Sequence, residues 1–232
     1  MSPDNVPLVL IPGFMLDEEL WSEFIAAYPI EKRFIHVRLD QGATLKEMAV
    51  RTVQALPERF ILIGFSLGGY VARAIYDAFP ERTAAMIIVA SSLRDDSPEQ
   101  KKRRASAASS QVSGKFFGLS TAAIRKSLHT NLVNNTALIE KIRNMGKRLG
   151  TDVFRIQSGL SRERATLKPV MCPLYVIAAR NDRLRSSAEA EELAGLTGTD
   201  VDYVEDCGHL IPLEKPDELA QRVYEWLAKT VN

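Results

Sequence analysis

Apolar and polar residues follow one another along the chain in blocks that predict alternating strands and helices. Short, nearly continuous apolar runs predict buried strands at 7–11, 33–37, 60–63, 84–90, 173–178 and 201–205. Apolar residues at helical spacing predict helices at 17–27, 44–56, 67–79, 186–196 and 216–229. This order of elements predicts an α/β fold, with a doubly wound, mostly parallel sheet of about six strands and helices on both faces.

The chain between the fourth and fifth predicted strands breaks this alternation. Residues 95–167 contain no convincing strand, and helical patterns occur there at 98–109, 121–132, 136–149 and 151–161. We therefore expect a core formed by residues 1–92 and 166–232, with a helical cap of residues 93–165 inserted after the fourth strand.

Charge is distributed unevenly between these two parts. The whole chain carries a net charge of +1, but the predicted cap has 15 Lys or Arg against 6 Asp or Glu, which is +9 and leaves −8 for the core. The basic run at 101–104 could be a solvated helix surface, or the cap could attract an anionic substrate or an acidic carrier protein by electrostatic steering. Nucleic-acid binding is not expected, because no recognised binding module accompanies the basic residues.

The composition is that of a soluble globular protein, with 46% hydrophobic and 25% charged residues. No basic segment followed by an apolar run begins the sequence, and no stretch approaches the roughly 18 apolar residues of a membrane span. We expect a cytoplasmic protein with two reduced cysteines, Cys172 and Cys207. Because no His, Cys and Asp spacing resembles a metal site, neither a metal nor another cofactor is expected.

A serine lies in a glycine-rich turn between the third predicted strand and the helix that follows it. Residues 64–68 read Gly-Phe-Ser-Leu-Gly and match the G-x-S-x-G pattern of a nucleophile elbow. Gly64 and Gly68 would relieve crowding around Ser66 on so tight a turn, and Gly69 would let the helix pack close to the sheet. The pattern predicts Ser66 as a nucleophile, the alternative being an incidental serine in a structural turn.

A serine nucleophile needs a base, and the base needs a carboxylate that fixes its tautomer. His209 follows the last predicted strand, at the sheet edge where ligands bind in open α/β folds. His36, inside a strand, and His129, inside the predicted cap, are expected to be structural. Asp182 follows the fifth strand at the same edge and is the expected partner of His209, with Asp206 as a less favoured alternative.

Two backbone N–H groups should stabilise the oxyanion that forms when the serine attacks. We expect them from Leu67, directly after the nucleophile, and from Phe14 in the loop after the first strand, unless that loop is merely a turn. The substrate pocket should lie between the sheet edge and the cap. Its predicted walls are the side chains of Phe14 and Leu67 together with three residues chosen by their position in the sequence, Phe116, Phe117 and Leu210.

The order of these motifs resembles the α/β-hydrolase superfamily over nearly the whole chain. An oxyanion loop, a serine elbow, an acid loop and a late Gly-His loop follow one another as they do in that family. The chain is similar to the small bacterial carboxylesterases with helical caps, a group that includes pimeloyl-acyl-carrier-protein methyl ester esterase and the enol-lactonases. It departs in having Pro12-Gly13 where many relatives have His-Gly, and in beginning at the strand usually counted third, which predicts a sheet without an antiparallel edge.

The resemblance implies a serine hydrolase that cleaves a small-molecule carboxylic ester, or a lactone or thioester, through an acyl-enzyme without a cofactor. Perhydrolysis by the same residues remains an alternative. A second alternative is a non-catalytic receptor for small ligands on this fold.

Overall fold

A computed structural model of the chain describes residues 6–110, 116–162 and 169–230. At its centre lies a sheet whose six strands are β1 (Leu8–Ile11), β2 (Phe34–His36), β3 (Phe60–Phe65), β4 (Thr83–Val89), β5 (Leu174–Ala179) and β6 (Val201–Val204). The strands lie in the order β2-β1-β3-β4-β5-β6, and every neighbouring pair is parallel. The predicted fold class, a mostly parallel sheet of about six strands, is confirmed, and every strand pair within the described residues is parallel.

Helices connect the strands and cover both faces of the sheet. They are α1 (Ser22–Ala27), α2 (Leu45–Gln54), α3 (Leu67–Ala78), α4 (Pro98–Ser110), α5 (Thr121–Ser127), α6 (Thr136–Gly159), α7 (Ser187–Ala194), α8 (Ile211–Glu214) and α9 (Pro216–Thr230). Several of these helices begin at a residue whose side chain accepts a hydrogen bond from a backbone N–H of the first turn. The side chain of Ser186 caps α7 and forms a capping box with Glu189.

The alternation of side chains along the strands divides the apolar core into two layers, one on each face of the sheet. In β1, Leu8 and Leu10 belong to one buried cluster, whereas Val9 and Ile11 belong to the other. Because helices cover both faces, every residue of this strand is buried, which explains why the strands read as nearly continuous apolar runs.

The chain between β4 and β5, residues 90–173, is called the β4–β5 segment below. Its described part contains the helices α4, α5 and α6 and no strand. Helix α6 is interrupted at Gly150, whose φ of 79° is outside the helical region, so that the two helices predicted at 136–149 and 151–161 meet there at a kink. The predicted cap boundary at residue 165 lies outside the described residues.

None of the helices in the described ranges is long and apolar enough to cross a membrane.

Both cysteines are free thiols. Cys207 is fully buried two residues before His209, and burial raises the pKa of its thiol. Within the described ranges, no group of three or more His, Cys, Asp or Glu side chains is arranged to hold a metal ion.

Candidate active site

Ser66 lies on a strained turn between β3 and α3. Its φ of 50° and ψ of −110° are outside the regions that most residues adopt, and such strain persists only where surrounding contacts enforce it. Here its backbone N–H donates to the carbonyl oxygen of Val89 over 2.9 Å. Its carbonyl oxygen accepts from the Ser91 hydroxyl over 2.7 Å. The turn is thus fastened to β4 on one side of the nucleophile candidate.

Close backbone contacts explain the glycines around this serine. A Cβ at Gly64 would lie 2.5 Å from the Gly68 carbonyl oxygen, and a Cβ at Gly68 would lie 2.3 Å from the Ile11 carbonyl oxygen. Both of these neighbouring atoms belong to the backbone, so they could not move aside as a flexible side chain would, and a larger residue would not fit at either position. At Gly69 a Cβ would lie 2.4 Å from the Ser91 hydroxyl oxygen, so this glycine lets α3 pack against the end of β4.

The structure brings Ser66, His209 and Asp182 into one hydrogen-bonded series. His209 Nδ1 lies 2.7 Å from Asp182 Oδ2, and His209 Nε2 lies 3.0 Å from Ser66 Oγ. A carboxylate can only accept, so Nδ1 carries the proton and Nε2 is left to accept from the serine hydroxyl. The side chains of His209 and Asp182 are 6% and 4% exposed, and therefore little water competes for these bonds.

Both oxygens of the Asp182 carboxylate are occupied. While Oδ2 faces His209, Oδ1 accepts from the backbone N–H groups of Leu184 and Arg185 over 2.7 and 3.0 Å. The two backbone bonds close a tight turn in the loop that carries Asp182, which follows β5. The alternative partner, Asp206, is exposed and has a φ of 48°, so its carboxylate lies outside the series.

Glu214 braces the loop that carries His209, a role that sequence reasoning did not assign. Its Oε2 accepts from the backbone N–H groups of Gly208 and His129 over 3.1 and 2.9 Å, and its Oε1 accepts from Leu210 over 3.0 Å. The His209 N–H itself donates to the Ser127 carbonyl over 2.8 Å. The available signal was the glutamate five residues after the histidine, at the end of a short buried helix.

The two other histidines are outside this hydrogen-bonded series and do not line the cavity. His36 is in β2 with an exposed side chain. His129 belongs to the β4–β5 segment, where its Nδ1 accepts from the Asn131 N–H and its own N–H donates to Glu214. His129 thus helps to fasten the segment to the His209 loop, and a Cβ at Gly208 would lie 2.3 Å from its backbone nitrogen.

The loop after β1 is held from the β4–β5 segment by a buried glutamine, which sequence reasoning also missed. The N–H of Met15 donates to Gln157 Oε1 over 2.8 Å, and Gln157 Nε2 donates to the Leu39 carbonyl over 2.9 Å. Gln157 is 1% exposed. These bonds fix the backbone next to Phe14.

The other predicted oxyanion donor, Leu67, is the first residue of α3. A backbone N–H at that position has no acceptor within its own helix.

A cavity of about 390 Å³ opens beside Ser66 and His209. It is lined by Phe14, Leu16, Phe65, Ser66, Asp96, Gln100, Arg104, Leu119, Ala123, Lys126, Ser127, Ile142, Arg162, Leu184, Arg185, His209 and Leu210. Most of the lining belongs to the β4–β5 segment. The remainder comes from the end of β3 and from the loops after β1, β3, β5 and β6.

The predicted pocket walls require correction at three positions. Leu210 lines the cavity, but Phe116 and Phe117 do not. The ring of Phe116 is buried and stacks on Phe154 with centroids 4.5 Å apart, while Phe117 is 67% exposed. Leu67, expected as a wall through its side chain, is instead buried in the apolar layer beneath the site.

A parallel sheet with a serine on a tight turn after a central strand and a histidine on the last loop is the arrangement of the α/β hydrolases. The sequence model described as "Alpha/beta hydrolase family" matches residues 8–222, and the chain belongs to this family.

The relatives of the chain include esterases and an enol-lactonase. It is 38% identical over 91 residues to pimeloyl-[acyl-carrier protein] methyl ester esterase of Pectobacterium carotovorum subsp. carotovorum (strain PC1), a match that covers 36% of this chain and 36% of that protein. A thermophilic esterase from Thermogutta terrifontis, solved with malate bound, superposes with a TM-score of 0.81 at 27% identity and covers 98% of this chain and 91% of its own. These similarities support an esterase-like hydrolase.

The enol-lactonase from Burkholderia xenovorans LB400 superposes with a TM-score of 0.80 at 21% identity, covering 98% of this chain and 94% of its own. At this identity the likeness concerns the fold alone. The match to the acyl-carrier-protein esterase spans only about a third of that protein, so its activity is not carried over as a whole.

Proposed function

We propose that the protein is a serine esterase in which Ser66 is the nucleophile, His209 the general base and acid, and Asp182 the residue that orients His209. The observation that carries the proposal is the buried series Ser66 Oγ–His209 Nε2 at 3.0 Å and His209 Nδ1–Asp182 Oδ2 at 2.7 Å. Each group needs its neighbour in this order for acyl transfer. The strained backbone of Ser66 fits a serine that a tight turn presents to the cavity.

The reaction takes place in two steps. His209 Nε2 accepts the hydroxyl proton as Ser66 Oγ bonds to the ester carbonyl carbon, and the carbonyl electrons move to oxygen. When the carbonyl re-forms, the alcohol leaves with the proton from His209. Water then attacks the acyl-enzyme in the same way, which releases the acid and restores Ser66.

The oxyanion of each step would bind the backbone N–H groups of Leu67 and Phe14. Leu67 N–H lies at the amino end of α3, where the helix also presents partial positive charge. Phe14 lines the cavity beside Ser66. Losing one such donor typically costs about 100- to 1000-fold in rate. Both donors are backbone groups. The presence of Pro12-Gly13, where many relatives have His-Gly, is therefore compatible with the proposal.

The β4–β5 segment would act as a helical cap that selects the substrate, since it supplies most of the cavity lining. Its basic composition supports the proposal that it attracts an anionic ester or an acidic carrier protein. The partial similarity to a pimeloyl-[acyl-carrier protein] methyl ester esterase agrees with that choice. A fall of kcat/KM with added salt, on an acyl-carrier methyl ester, would support it, and a flat salt response would oppose it.

Turnover of neutral p-nitrophenyl esters tests the nucleophile. Wild type should hydrolyse short acyl esters, and Ser66→Ala should lower kcat by about a millionfold, the typical loss when a serine nucleophile is removed. Ser22→Ala is the matched control, because Ser22 is exposed on α1 and should leave the rate unchanged. A Ser66→Ala variant that keeps wild-type turnover, or a wild type without turnover that also fails to react with a fluorophosphonate, would contradict the proposal.

A further inference from the structure

One wall of the cavity carries three arginines from three different elements. Arg104 lies on α4, Arg162 follows α6, and Arg185 is in the loop after β5, and all three line the cavity together with Ser66. Their side chains are 17%, 16% and 15% exposed. Guanidinium groups are seldom buried to this degree without full pairing, because removing a charge from water costs free energy that only a partner returns.

The carboxylates beside these arginines are fewer than the guanidinium groups. Asp96 forms an ion pair with Arg104 and lies 3.8 Å from Arg162 Nη1, while Glu189 accepts from Arg185 Nη1 over 3.0 Å. Asp96 and Glu189 are themselves 5% and 12% exposed. Among the residues placed in the structure, the cluster therefore has one positive charge in excess.

Arg162 is the least satisfied of the three. The nearest carboxylate oxygen to its guanidinium lies 3.8 Å from Nη1, and its Nε is buried without a hydrogen-bond partner among the described residues. Burial and the neighbouring Arg104 and Arg185 lower the pKa of Arg162 to about 10, so that it remains protonated at neutral pH. An anion in the cavity would supply an acceptor that the described residues do not offer to the Arg162 Nε.

The ring of Tyr70 places the cluster near the reacting serine. The guanidinium carbons of Arg162 and Arg185 lie 5.9 and 5.8 Å from its centroid. Tyr70 belongs to the first turn of α3, four residues after Ser66, and its hydroxyl donates to the Arg94 carbonyl over 2.9 Å. Because Tyr70 belongs to the helix that begins directly after Ser66, its ring connects the arginine cluster to the turn of the nucleophile, and both line the same cavity.

The rest of the cavity is largely apolar. Its hydrophobic lining consists of Phe14, Leu16, Phe65, Leu119, Ala123, Ile142, Leu184 and Leu210. A cavity of about 390 Å³ with one cationic wall and one apolar wall fits a short methylene chain that ends in a negative charge.

We propose that Arg104, Arg162 and Arg185 bind a carboxylate at the far end of the acyl chain, so that the preferred substrate is a half-ester of a short dicarboxylic acid. The inference rests on the proposed esterase function and names its substrate class. A planar guanidinium matches a carboxylate with two parallel hydrogen bonds, and these are stronger than bonds between neutral groups.

Paired substrates test this directly. The methyl half-esters of glutaric and adipic acid are compared with methyl butanoate and methyl pentanoate by titrating the released acid at pH 7.5. Wild type should prefer the half-esters by about 10- to 100-fold in kcat/KM, the range expected for a hydrogen-bonded charge. Arg162→Gln should reduce this ratio at least tenfold, and Arg162→Lys should restore part of it.

Arg94→Gln is the matched control, because Arg94 is in the same segment but pairs with Glu192 at the surface, outside the cavity. It should leave the ratio unchanged. An unchanged ratio in Arg162→Gln, or no preference in wild type, would overturn the inference and identify the arginines as a purely structural link between the segment and the core.

Binding of glutarate to the wild-type protein tests the anion site without a variant. Glutarate should raise Tm and inhibit competitively, whereas its neutral diamide should do neither at the same concentration. If methyl butanoate is hydrolysed while glutarate neither binds nor inhibits, the anion site is refuted and the esterase proposal stands. If no ester is hydrolysed but glutarate raises Tm, the esterase proposal fails and the anion site remains.

Discussion

The two walls of the cavity differ in what determines their positions. Ser66, Asp182 and His209 follow β3, β5 and β6, so the register of the parallel sheet places them together at one edge. The opposite wall is formed by helices of the β4–β5 segment, and contacts between side chains and loops hold it on the core. We assign the chemistry to the first wall and most of the substrate choice to the second, with Arg185 contributed by the same loop after β5 that carries Asp182.

The largest effect should come from the sheet edge. Asp182→Asn should lower kcat about ten-thousandfold, because an amide beside His209 Nδ1 favours the wrong tautomer and cannot stabilise the imidazolium. The measurement is kcat on p-nitrophenyl acetate with circular dichroism as a check on folding. Asp206→Asn is the control and should match wild type. Equal losses in the two variants would mean that Asp182 is not the partner of His209.

The residues at the sheet edge could be predicted from the sequence because strands, turns and motifs leave local patterns there. The glycines at 64 and 68 and the placement of Asp182 and His209 after strands required only periodicity and motif spacing. Even the break of α6 was visible, since two helical patterns met at Gly150.

The other wall depends on tertiary packing, which leaves little trace in the sequence. Phe116 and Phe117 are consecutive and equally apolar, yet one ring is buried against Phe154 and the other is exposed. Likewise, Gln157 bonds to backbone groups more than a hundred residues away, which no spacing pattern indicates. Glu214 bonds to nearby backbone groups of its own loop and also to His129, 85 residues earlier.

A smaller effect should follow from changing the brace of the His209 loop. Glu214→Gln replaces one acceptor oxygen by an NH₂ group, which leaves at least one backbone N–H unsatisfied at a cost of about 1–3 kcal/mol. We expect a Tm several degrees lower and a kcat reduced about 10- to 100-fold. Glu225→Gln is the control, because Glu225 is exposed on α9. A normal Tm and kcat in Glu214→Gln would show that the loop holds its position unaided.

The smallest change should come from the buried glutamine that links the two walls. Gln157→Leu removes the acceptor of the Met15 N–H and the donor to the Leu39 carbonyl, so the loop of Phe14 is no longer fixed from the β4–β5 segment. We expect kcat to fall about tenfold and the free energy of unfolding by about 1–3 kcal/mol, measured with urea. The exposed Gln221→Leu is its control. A loss of stability without a loss of kcat would separate Gln157 from the reaction.

The nucleophile can be located by mass spectrometry of the fluorophosphonate-treated protein. Cleavage after Arg59 and Arg73 yields the peptide 60–73, in which Ser66 is the only serine. We predict that the phosphonyl mass appears on this peptide in wild type and is absent from Ser66→Ala. A label on another peptide, or none on the native wild-type protein, would contradict the assignment of Ser66 as the catalytic nucleophile.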